Sequence, residues 1–244
     1  MNIRILQLAE GAKKATGLVV IIDVFRAFST DCYIFSNGAS KIIVVENIDD
    51  AFTLKKKNSD YILIGERGGK KPEGFDYNNS PTEIESVDFT DKTLVQTTSA
   101  GTKGLFYVKD AAEVITGSFV NVGAVIGYIK ATDYKDISLV CMGDRGILQS
   151  DEDTLCAEFI KQSLEGKNMC FQDIKNYLKA YKSAQRFFDP KVTWATRRDF
   201  DLCLSLNRFN FIIRTEPFDG KTQGISEIIL LKKYSLNNER NSKK

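Results

Sequence analysis

Short aliphatic runs alternate along the chain with stretches whose apolar residues recur at helical spacing. The aliphatic runs predict buried strands at residues 18–22, 41–46, 61–64, 91–96, 112–116 and 137–142. The spacing predicts helices at residues 29–36, 49–57, 120–131, 174–188 and 199–206, with another beginning near residue 151. This order of elements indicates an α/β protein, a three-layer α/β/α sandwich around a largely parallel or mixed sheet.

The last third of the chain is richer in helical patterns, and it carries two more predicted strands, at residues 209–214 and 225–231. A turn is expected between them at Asp219-Gly220. No linker-like or repetitive segment interrupts the pattern. A single domain is therefore predicted over residues 1–235, followed by a polar C-terminal tail at residues 236–244.

The predicted strand at residues 61–64 leads into a long, glycine-rich polar loop, GERGGKKPEGFDYNNSP, at residues 65–81. A loop of this length inside a compact domain is usually either functional or disordered. The apolar strand before it and its aromatic residues Phe75 and Tyr77 favour function. The candidate site residues of this loop are Glu66, Arg67, Gly68, Asn79 and Ser80.

Asp23 and Arg26 follow the strand predicted at residues 18–22, ahead of a helix that Ser29 or Thr30 would cap. Ligands bind at the carboxyl ends of strands in open α/β sheets, so all four residues are candidates for a ligand site. The alternative is structural: the acid stabilises the N-terminus of the helix, and Arg26 pairs with that acid.

Two further strand ends carry candidate chemistry. The strand at residues 91–96 is followed by a run of hydroxyl residues whose candidates are Thr97, Thr98, Gly101 and Thr102. Such a turn either cradles an anion with its hydroxyl and N–H groups or merely caps a helix. The acids Asp151, Glu152 and Asp153 open the last helix of this region. They either complement the helix dipole or bind a hard divalent cation.

Composition and charge are those of an ordinary soluble protein, with 43% hydrophobic and 27% charged residues. A net charge of +2 gives no case for nucleic acid or membrane binding, and no apolar run reaches membrane-spanning length. The five cysteines form no CxxC pair, which argues against zinc and disulfides and fits a reducing compartment. The protein is therefore expected to be cytoplasmic, and homo-oligomer formation is left open.

Histidine is absent, which excludes imidazole metal ligands, phosphohistidine and a Ser-His-Asp triad. Acid–base work falls to carboxylates, Lys, Tyr, Cys or water on a metal ion. Carboxylates, hydroxyls and arginines suit Mg²⁺ and a small, anionic, phosphorylated substrate. In a largely parallel sheet the loops that carry them would gather along one edge. The candidate metal ligands are Asp23, Glu66, Glu152 and Asp153, and the candidate catalytic residues are Asp23, Glu66, Arg26 and Arg67.

Several motifs, in this order along the chain, resemble those of the 2-phosphosulfolactate phosphatase (ComB) family. They are DVFRAFST at 23–30, GERGG at 65–69, GFD at 74–76 with NSP at 79–81, TT at 97–98 with GT at 101–102, and EDT at 152–154. The resemblance implies a Mg²⁺-dependent phosphatase with an α/β/α fold. Its reaction converts 2-phosphosulfolactate to sulfolactate and phosphate, a step in coenzyme M biosynthesis.

The chain departs from the family pattern at a few positions. Ala100 stands where the family prefers asparagine, Tyr77-Asn78 replaces a Leu-Gly pair, and Glu158 falls where a glycine is usual. The alternative hypothesis is a non-catalytic phosphate- or sulfonate-binding protein on the same scaffold. An aspartate-nucleophile haloacid-dehalogenase phosphatase is not supported, because Phe25 occupies the place of the second acid of its DxD motif. A Rossmann oxidoreductase is disfavoured, since the turn at residues 23–30 contains no glycine.

Overall fold

A computed structural model of the chain describes residues 1–218, 225 and 227–235. The strands are β1 (Asn2–Gln7), β2 (Thr16–Ile22), β3 (Lys41–Val44), β4 (Ile62–Gly65), β5 (Tyr77–Asn78), β6 (Thr93–Thr97), β7 (Asp110–Gly117), β8 (Asp136–Cys141), β9 (Ile212–Pro217) and β10 (Ile229–Tyr234). The α-helices are α1 (Leu8–Ala12), α2 (Ala27–Ser36), α3 (Ile48–Lys57), α4 (Pro81–Ile84), α5 (Gly101–Tyr107), α6 (Val122–Ala131), α7 (Asp151–Leu164), α8 (Phe171–Ala180) and α9 (Arg197–Cys203). The turn expected at Asp219-Gly220 and the predicted tail at residues 236–244 lie outside the described residues.

The strands form one mixed sheet in the order β1-β8-β2-β7-β9-β10-β3-β6-β4-β5. Two parallel groups flank the hairpin of β9 and β10. One group contains β1, β8, β2 and β7, and the other contains β3, β6, β4 and β5. The hairpin pairs antiparallel with β7 on one side and with β3 on the other. The predicted α/β fold with a largely parallel or mixed sheet is confirmed.

The strand directions correct one expectation about the site. The three successive antiparallel pairings from β7 through β9 and β10 to β3 reverse the direction of the second parallel group relative to the first. The sequence pattern predicts that the carboxyl ends of β2 and β6 share one edge of the sheet. This prediction is wrong, because the two strands run in opposite directions. They nevertheless approach each other closely, since the N–H of Gly101 reaches the side chain of Asp23. Sheet twist accumulates from strand to strand, which allows ends far apart in strand order to meet.

The core has an apolar cluster on each face of the sheet, as the alternation along β2 shows. Val19 and Ile21 belong to a cluster that includes Phe28 and Phe35 of α2. Val20 and its alternating neighbours belong to a second cluster, which includes residues of α6 and α7. A smaller cluster lies between β3, β4 and α3. Because side chains alternate along a strand, a strand that is buried on both faces requires helices on both faces, and the predicted sandwich is confirmed.

Local differences from the prediction occur at both ends of the chain. The hydrophobic pattern predicts no strand at Asn2–Gln7, a short run of mixed polarity that forms β1 and pairs with β8 at the end of the sheet. The single helix predicted at residues 174–188 is wrong in its second half. Helix α8 ends at Ala180, Tyr181 is extended, and a 3-10 helix follows at Lys182–Phe187. No helix in the described part of the chain is long and apolar enough to cross a membrane.

Candidate active site

A cavity of about 250 Å³ opens where the loops after β2, β4, β6 and β8 meet. Six of the residues predicted from the sequence line it: Asp23, Arg26, Glu66, Gly68, Asn79 and Glu152. The other lining residues are Phe25, Gly69, Ser99, Ala100, Gly143, Asp144, Arg145, Arg186 and Trp194. The cavity therefore combines four acids with three arginines.

Asp23 lies at the carboxyl end of β2 and is held by backbone donors. Its Oδ1 accepts the N–H of Ala27 at 3.1 Å, and its Oδ2 accepts the N–H of Gly101 at 2.9 Å. A Cβ atom at Gly101 would lie 2.6 Å from Asp23 Oδ2, so this close approach requires glycine. Burial, together with the neighbouring charges of Glu66 and Glu152, raises the pKa of Asp23 to about 7. The acids Glu66 and Glu152 therefore lie close enough to Asp23 to disfavour a further negative charge there.

Glu66, just after β4, is held more firmly still. Its Oε1 accepts the N–H of Ser99 at 2.6 Å. Its Oε2 accepts the N–H of Gly69 at 2.7 Å and the hydroxyl of Ser99 at 3.0 Å. Ser99 thus joins the loop after β6 to the loop after β4 through one carboxylate. These donors fix the orientation of Glu66 without any cation.

Glu152 and Asp153 share the first turn of α7 but differ in what they face. Glu152 lines the cavity and accepts the hydroxyl of Ser183 at 2.9 Å. Burial raises its pKa, while the charge of Arg186 opposes that shift. Asp153 is not among the lining residues. Its two oxygens accept the N–H groups of Val24 and Gly143, both at 2.8 Å, so it connects the loops after β2 and β8.

Arg26 lines the cavity but is bound to protein groups on several sides. Its Nη1 donates to Asp199 Oδ2 and to the carbonyl of Trp194, both at 3.0 Å. Its Nη2 donates to the carbonyl of Gly69 at 3.1 Å. The structural alternative given for Arg26 named the wrong acid: Arg26 pairs with Asp199, and backbone N–H groups bind Asp23. Asp199 lies far away in sequence, at the start of α9.

Arg67 is not among the lining residues. Its guanidinium donates to the carbonyls of Glu66 and Glu46, at 2.7 and 3.1 Å, and to the hydroxyl of Thr97 at 2.7 Å. Burial lowers the pKa of Arg67. The neighbour of Glu66 thus stabilises the base of the loop at residues 65–81, because side chains at successive positions of an extended chain point in opposite directions.

The predicted hydroxyl residues are used inside the protein. Ser29 donates to the carbonyl of Val24, and Thr30 donates to the carbonyl of Arg26. The hydroxyls of Thr98 and Thr102 lie 3.1 Å apart. The hydroxyl of Thr97 donates to the carbonyl of Glu46, and the hydroxyl of Ser80 donates to the carboxylate of Asp199. The N–H groups of Ser99 and Gly101 bind acids, so this loop orients carboxylates where the sequence analysis expected either an anion cradle or a capping turn.

Asn79 presents an unsatisfied group. It is 3% exposed and lines the cavity, and within the described residues its buried Oδ1 has no hydrogen-bond partner. A buried amide oxygen without a donor is costly unless a bound molecule supplies one. The structure places Asn79, but not its neighbour Ser80, where it can contact a ligand.

No group of three or more His, Cys, Asp or Glu residues in the described ranges is arranged to hold a metal ion. Magnesium differs from calcium or zinc in this respect, since one or two protein carboxylates with water and substrate phosphate complete its octahedron. Asp23 and Glu66 are two carboxylates that line one cavity, and burial together with nearby acids raises the pKa of Asp23. These residues fit a magnesium ion that is shared with the substrate, and they do not form a closed protein cage.

Several cavity residues were missed by the sequence analysis. Ser99 stands within the hydroxyl run, but its hydrogen bond to Glu66 depends on the fold and has no signal in the local sequence. Trp194 is the one tryptophan of the sequence, and it packs against Gly69. Arg186 carries no motif at all: it reaches the cavity because the chain turns at Tyr181.

Comparison with known proteins gives a consistent result. The family model described as 2-phosphosulpholactate phosphatase matches residues 4–217. A protein of Thermoplasma volcanium named "Probable 2-phosphosulfolactate phosphatase" is 32% identical, over 88% of this chain and 97% of its own length. A protein of Bacillus subtilis with the same name is 31% identical, over 86% of this chain and 92% of its own length. Another in Caldicellulosiruptor saccharolyticus is 42% identical over 57% of this chain and 59% of its own length. The chain therefore belongs to the 2-phosphosulpholactate phosphatase family, a family of phosphoric monoester hydrolases.

Proposed function

We propose that this protein is a Mg²⁺-dependent phosphatase that hydrolyses 2-phosphosulfolactate to sulfolactate and phosphate. The family and the names of the relatives support the reaction. The observation that carries the proposal for this chain is the cavity itself. It brings Asp23, Glu66 and Glu152 together with three arginines, from loops distant in sequence. Carboxylate oxygens that can hold a hard cation suit transfer of a phosphoryl group to water, and arginines in the same cavity suit a substrate that carries several anionic groups.

Asp23 and Glu66 are the residues that would hold the ion. Mg²⁺ would supply positive charge to the phosphoryl oxygens and position the ester for displacement. The chain's own part is preorganisation, since backbone donors already hold both carboxylates in place: Ala27 and Gly101 hold Asp23, and Gly69 and Ser99 hold Glu66. Groups fixed before the substrate arrives need not reorganise during the reaction.

The remaining walls of the cavity serve the substrate. The amide oxygen of Asn79 has no hydrogen-bond partner among the described groups, and it can accept a hydrogen bond from a hydroxyl group or a water molecule in the cavity. Phe25 and Trp194 are apolar walls that exclude part of the surrounding water and so strengthen the electrostatic interactions inside. Ala100 also lines the cavity. Its lack of a side-chain donor bears on selectivity for the sulfonate end, while the acids that handle metal and phosphate are all present.

The test is phosphate release by the purified protein from 2-phosphosulfolactate, with MgCl₂ or with EDTA. We expect turnover that requires Mg²⁺. We also expect kcat/KM for 2-phosphosulfolactate to exceed kcat/KM for phenyl phosphate. Titration of sulfolactate and of inorganic phosphate onto the protein by calorimetry runs alongside. Binding of either anion without any metal-dependent release of phosphate would overturn the proposal in favour of a non-catalytic binding protein.

A further inference from the structure

The proposed substrate has more than one anionic group. Besides the phosphate it carries a carboxylate and a sulfonate, which remain on the product. A cavity that discriminates such an ester from a simple one needs a cationic donor for the group that is not transferred. The arginines that line the cavity are Arg26, Arg145 and Arg186.

Arg26 is committed to the protein. It forms a buried ion pair with Asp199, in which the two side chains are 3% and 0% exposed, and it also donates to two carbonyl groups. A guanidinium has five N–H groups in a fixed fork, and Arg26 uses two on Nη1 and one on Nη2 for protein acceptors. Its charge is balanced by Asp199, so it brings little net attraction for an anionic group.

Arg145 differs in its exposure. Its side chain is 61% exposed and lies 3.6 Å from Asp144, whose side chain is 42% exposed. A solvated side chain with a carboxylate neighbour contributes little to binding, because water screens it and ordering it costs entropy. Arg145 belongs to the mouth of the cavity.

Arg186 has an unused donor. Its Nη2 donates to the carbonyl of Phe25 at 3.2 Å, which fixes the guanidinium at the cavity wall. Its Nε is buried, and the described residues provide no acceptor for it. The 3-10 helix that carries Arg186 is held to α7 by the hydrogen bond from Ser183 to Glu152. A buried N–H of a guanidinium without an acceptor is expensive unless a ligand supplies an oxygen.

The position of Arg186 indicates which part of the substrate it meets. The hydrogen bond from Ser183 joins the 3-10 helix of Arg186 to Glu152, whereas Glu66 is held by Gly69 and Ser99 in the loops after β4 and β6. Arg186 therefore lies on the Glu152 side of the cavity. An ion held by Asp23 and Glu66, as proposed above, would draw the phosphoryl group toward Glu66 instead.

We infer that Arg186 binds the non-transferred anionic group of the substrate, a sulfonate or carboxylate oxygen, through its free Nε–H. This inference rests on the proposed function for the identity of the substrate. The residue then determines specificity: it favours phosphate esters with a second anionic group over esters that have only the phosphate.

The test compares Arg186→Ala and Arg186→Lys with the wild type on three esters: 2-phosphosulfolactate, 2-phospholactate and phenyl phosphate. Loss of one charged hydrogen bond is expected to lower kcat/KM about 10- to 100-fold for esters with the recognised group. Phenyl phosphate turnover should change less than about threefold. Lysine should restore little, because its ammonium has no Nε–H at this position and no planar fork. Arg198→Ala, an exposed arginine paired with Glu85, is the matched control.

The pattern of losses identifies the group. A loss for 2-phosphosulfolactate alone assigns the sulfonate, and a loss for both acids assigns the carboxylate. An equal loss for all three esters, or for none, would overturn the inference. Unfolding temperatures of all variants check that Arg186→Ala folds.

A binding measurement keeps this inference separate from the proposed function. Calorimetric titration of sulfolactate needs no turnover, and we expect Arg186→Ala to weaken its binding about 10-fold or more relative to Arg198→Ala. If the wild type shows no phosphatase activity but binds sulfolactate through Arg186, the proposed function fails and the anion site stands. Equal binding by both variants would remove Arg186 from the site.

Discussion

Arg26 shows how one residue can combine a place in a cavity with a structural duty. Its ion pair with Asp199 is buried, and Asp199 also accepts hydrogen bonds from Ser80, Thr82 and the backbone of Thr196. The pair therefore joins the loop after β2, the end of the loop at residues 65–81, and the start of α9. From the sequence we would expect Arg26→Ala to weaken substrate binding. The structure adds a larger effect on folding.

We predict that Arg26→Ala lowers the free energy of unfolding by about 3–5 kcal/mol, because it leaves the carboxylate of Asp199 buried without its cation. Urea denaturation followed by circular dichroism measures this value. Arg198→Ala breaks an exposed pair with Glu85 and should cost less than about 1 kcal/mol. Similar values for the two variants would show that the buried pair contributes no more than a surface pair.

Glu66→Gln tests the proposed metal ligand. The amide has the shape of the carboxylate, but it loses the charge and turns an NH₂ group toward the donors of Gly69 or Ser99. We expect Mg²⁺-dependent kcat/KM to fall roughly 100-fold or more, with an unchanged circular dichroism spectrum. Glu73→Gln, an exposed acid of the same loop, should retain full activity. Near-normal turnover by Glu66→Gln would exclude this residue from the site.

At the scale of elements, the loop at residues 65–81 is an ordered structure. It contains strand β5, which extends the sheet beyond β4, and Arg67 and Lys70 pair across a tight turn. Gly68 and Gly69 occupy this turn with φ of +59° and +86°. The turn places the N–H of Gly69 on Glu66 and its carbonyl on Arg26. The loop thereby connects an acid and an arginine of the cavity.

The two glycines provide a matched pair of substitutions. A Cβ atom at Gly69 would lie 2.2 Å from the Trp194 ring, whereas a Cβ at Gly68 meets nothing within 4 Å. Both alanine variants bear the cost of positive φ, about 1–2 kcal/mol, but only Gly69→Ala must also displace the loop or the Trp194 ring, which both line the cavity. We expect it to lower kcat/KM roughly tenfold or more below Gly68→Ala, because small displacements of positioned groups are costly. Equal activity in the two variants would contradict the role of this turn.

The elements themselves were largely predictable, and the reasons are local. Strands such as β2 and β8 are buried on both faces and read as aliphatic runs, so their positions follow from composition alone. The break at Tyr181 could not be predicted, because the residues on both sides have helical spacing and tertiary contacts decide between them.

The cavity was predictable where a strand end fixes it. Asp23 and Glu66 follow buried strands directly, so their placement required only the fold class. Ser29 and Thr98 were chosen for their hydroxyls, but nearby backbone and side-chain groups already use those hydroxyls. Arg186 depends on a long-range turn of the chain, which no local pattern encodes.

At the scale of the whole molecule, several buried carboxyl groups have raised pKa values. Burial raises the pKa of Asp31 well above its usual range, and the charge of Asp23 adds to this effect. Asp31 accepts a hydrogen bond from Gln96 at 2.5 Å, and its other oxygen has no partner in the described part of the protein. Such groups favour the folded state while protonated and oppose it when ionised.

The sign of the pH dependence follows from these shifts. Above the ordinary pKa of aspartate, 3.8, the folded state retains a proton on Asp31 that the unfolded state has released. The stability of the wild type therefore falls as pH rises through this window. We predict that Asp31→Asn, which cannot ionise, gains stability relative to the wild type between pH 4 and pH 8. Urea denaturation at each pH measures it, with exposed Asp60→Asn as control. Parallel pH profiles for the three proteins would contradict the prediction.

The order of strands has a consequence for biosynthesis. Every residue that lines the cavity is translated by Trp194, yet β9 and β10, which join the two parallel groups, leave the ribosome afterwards. A nascent chain that stops before residue 212 holds all the acids and arginines of the site, but the strands linking their two supporting groups are missing. Completion of the cavity therefore requires β9 and β10 as well as the residues that line it, and a chain truncated before these strands is expected to lack the assembled site.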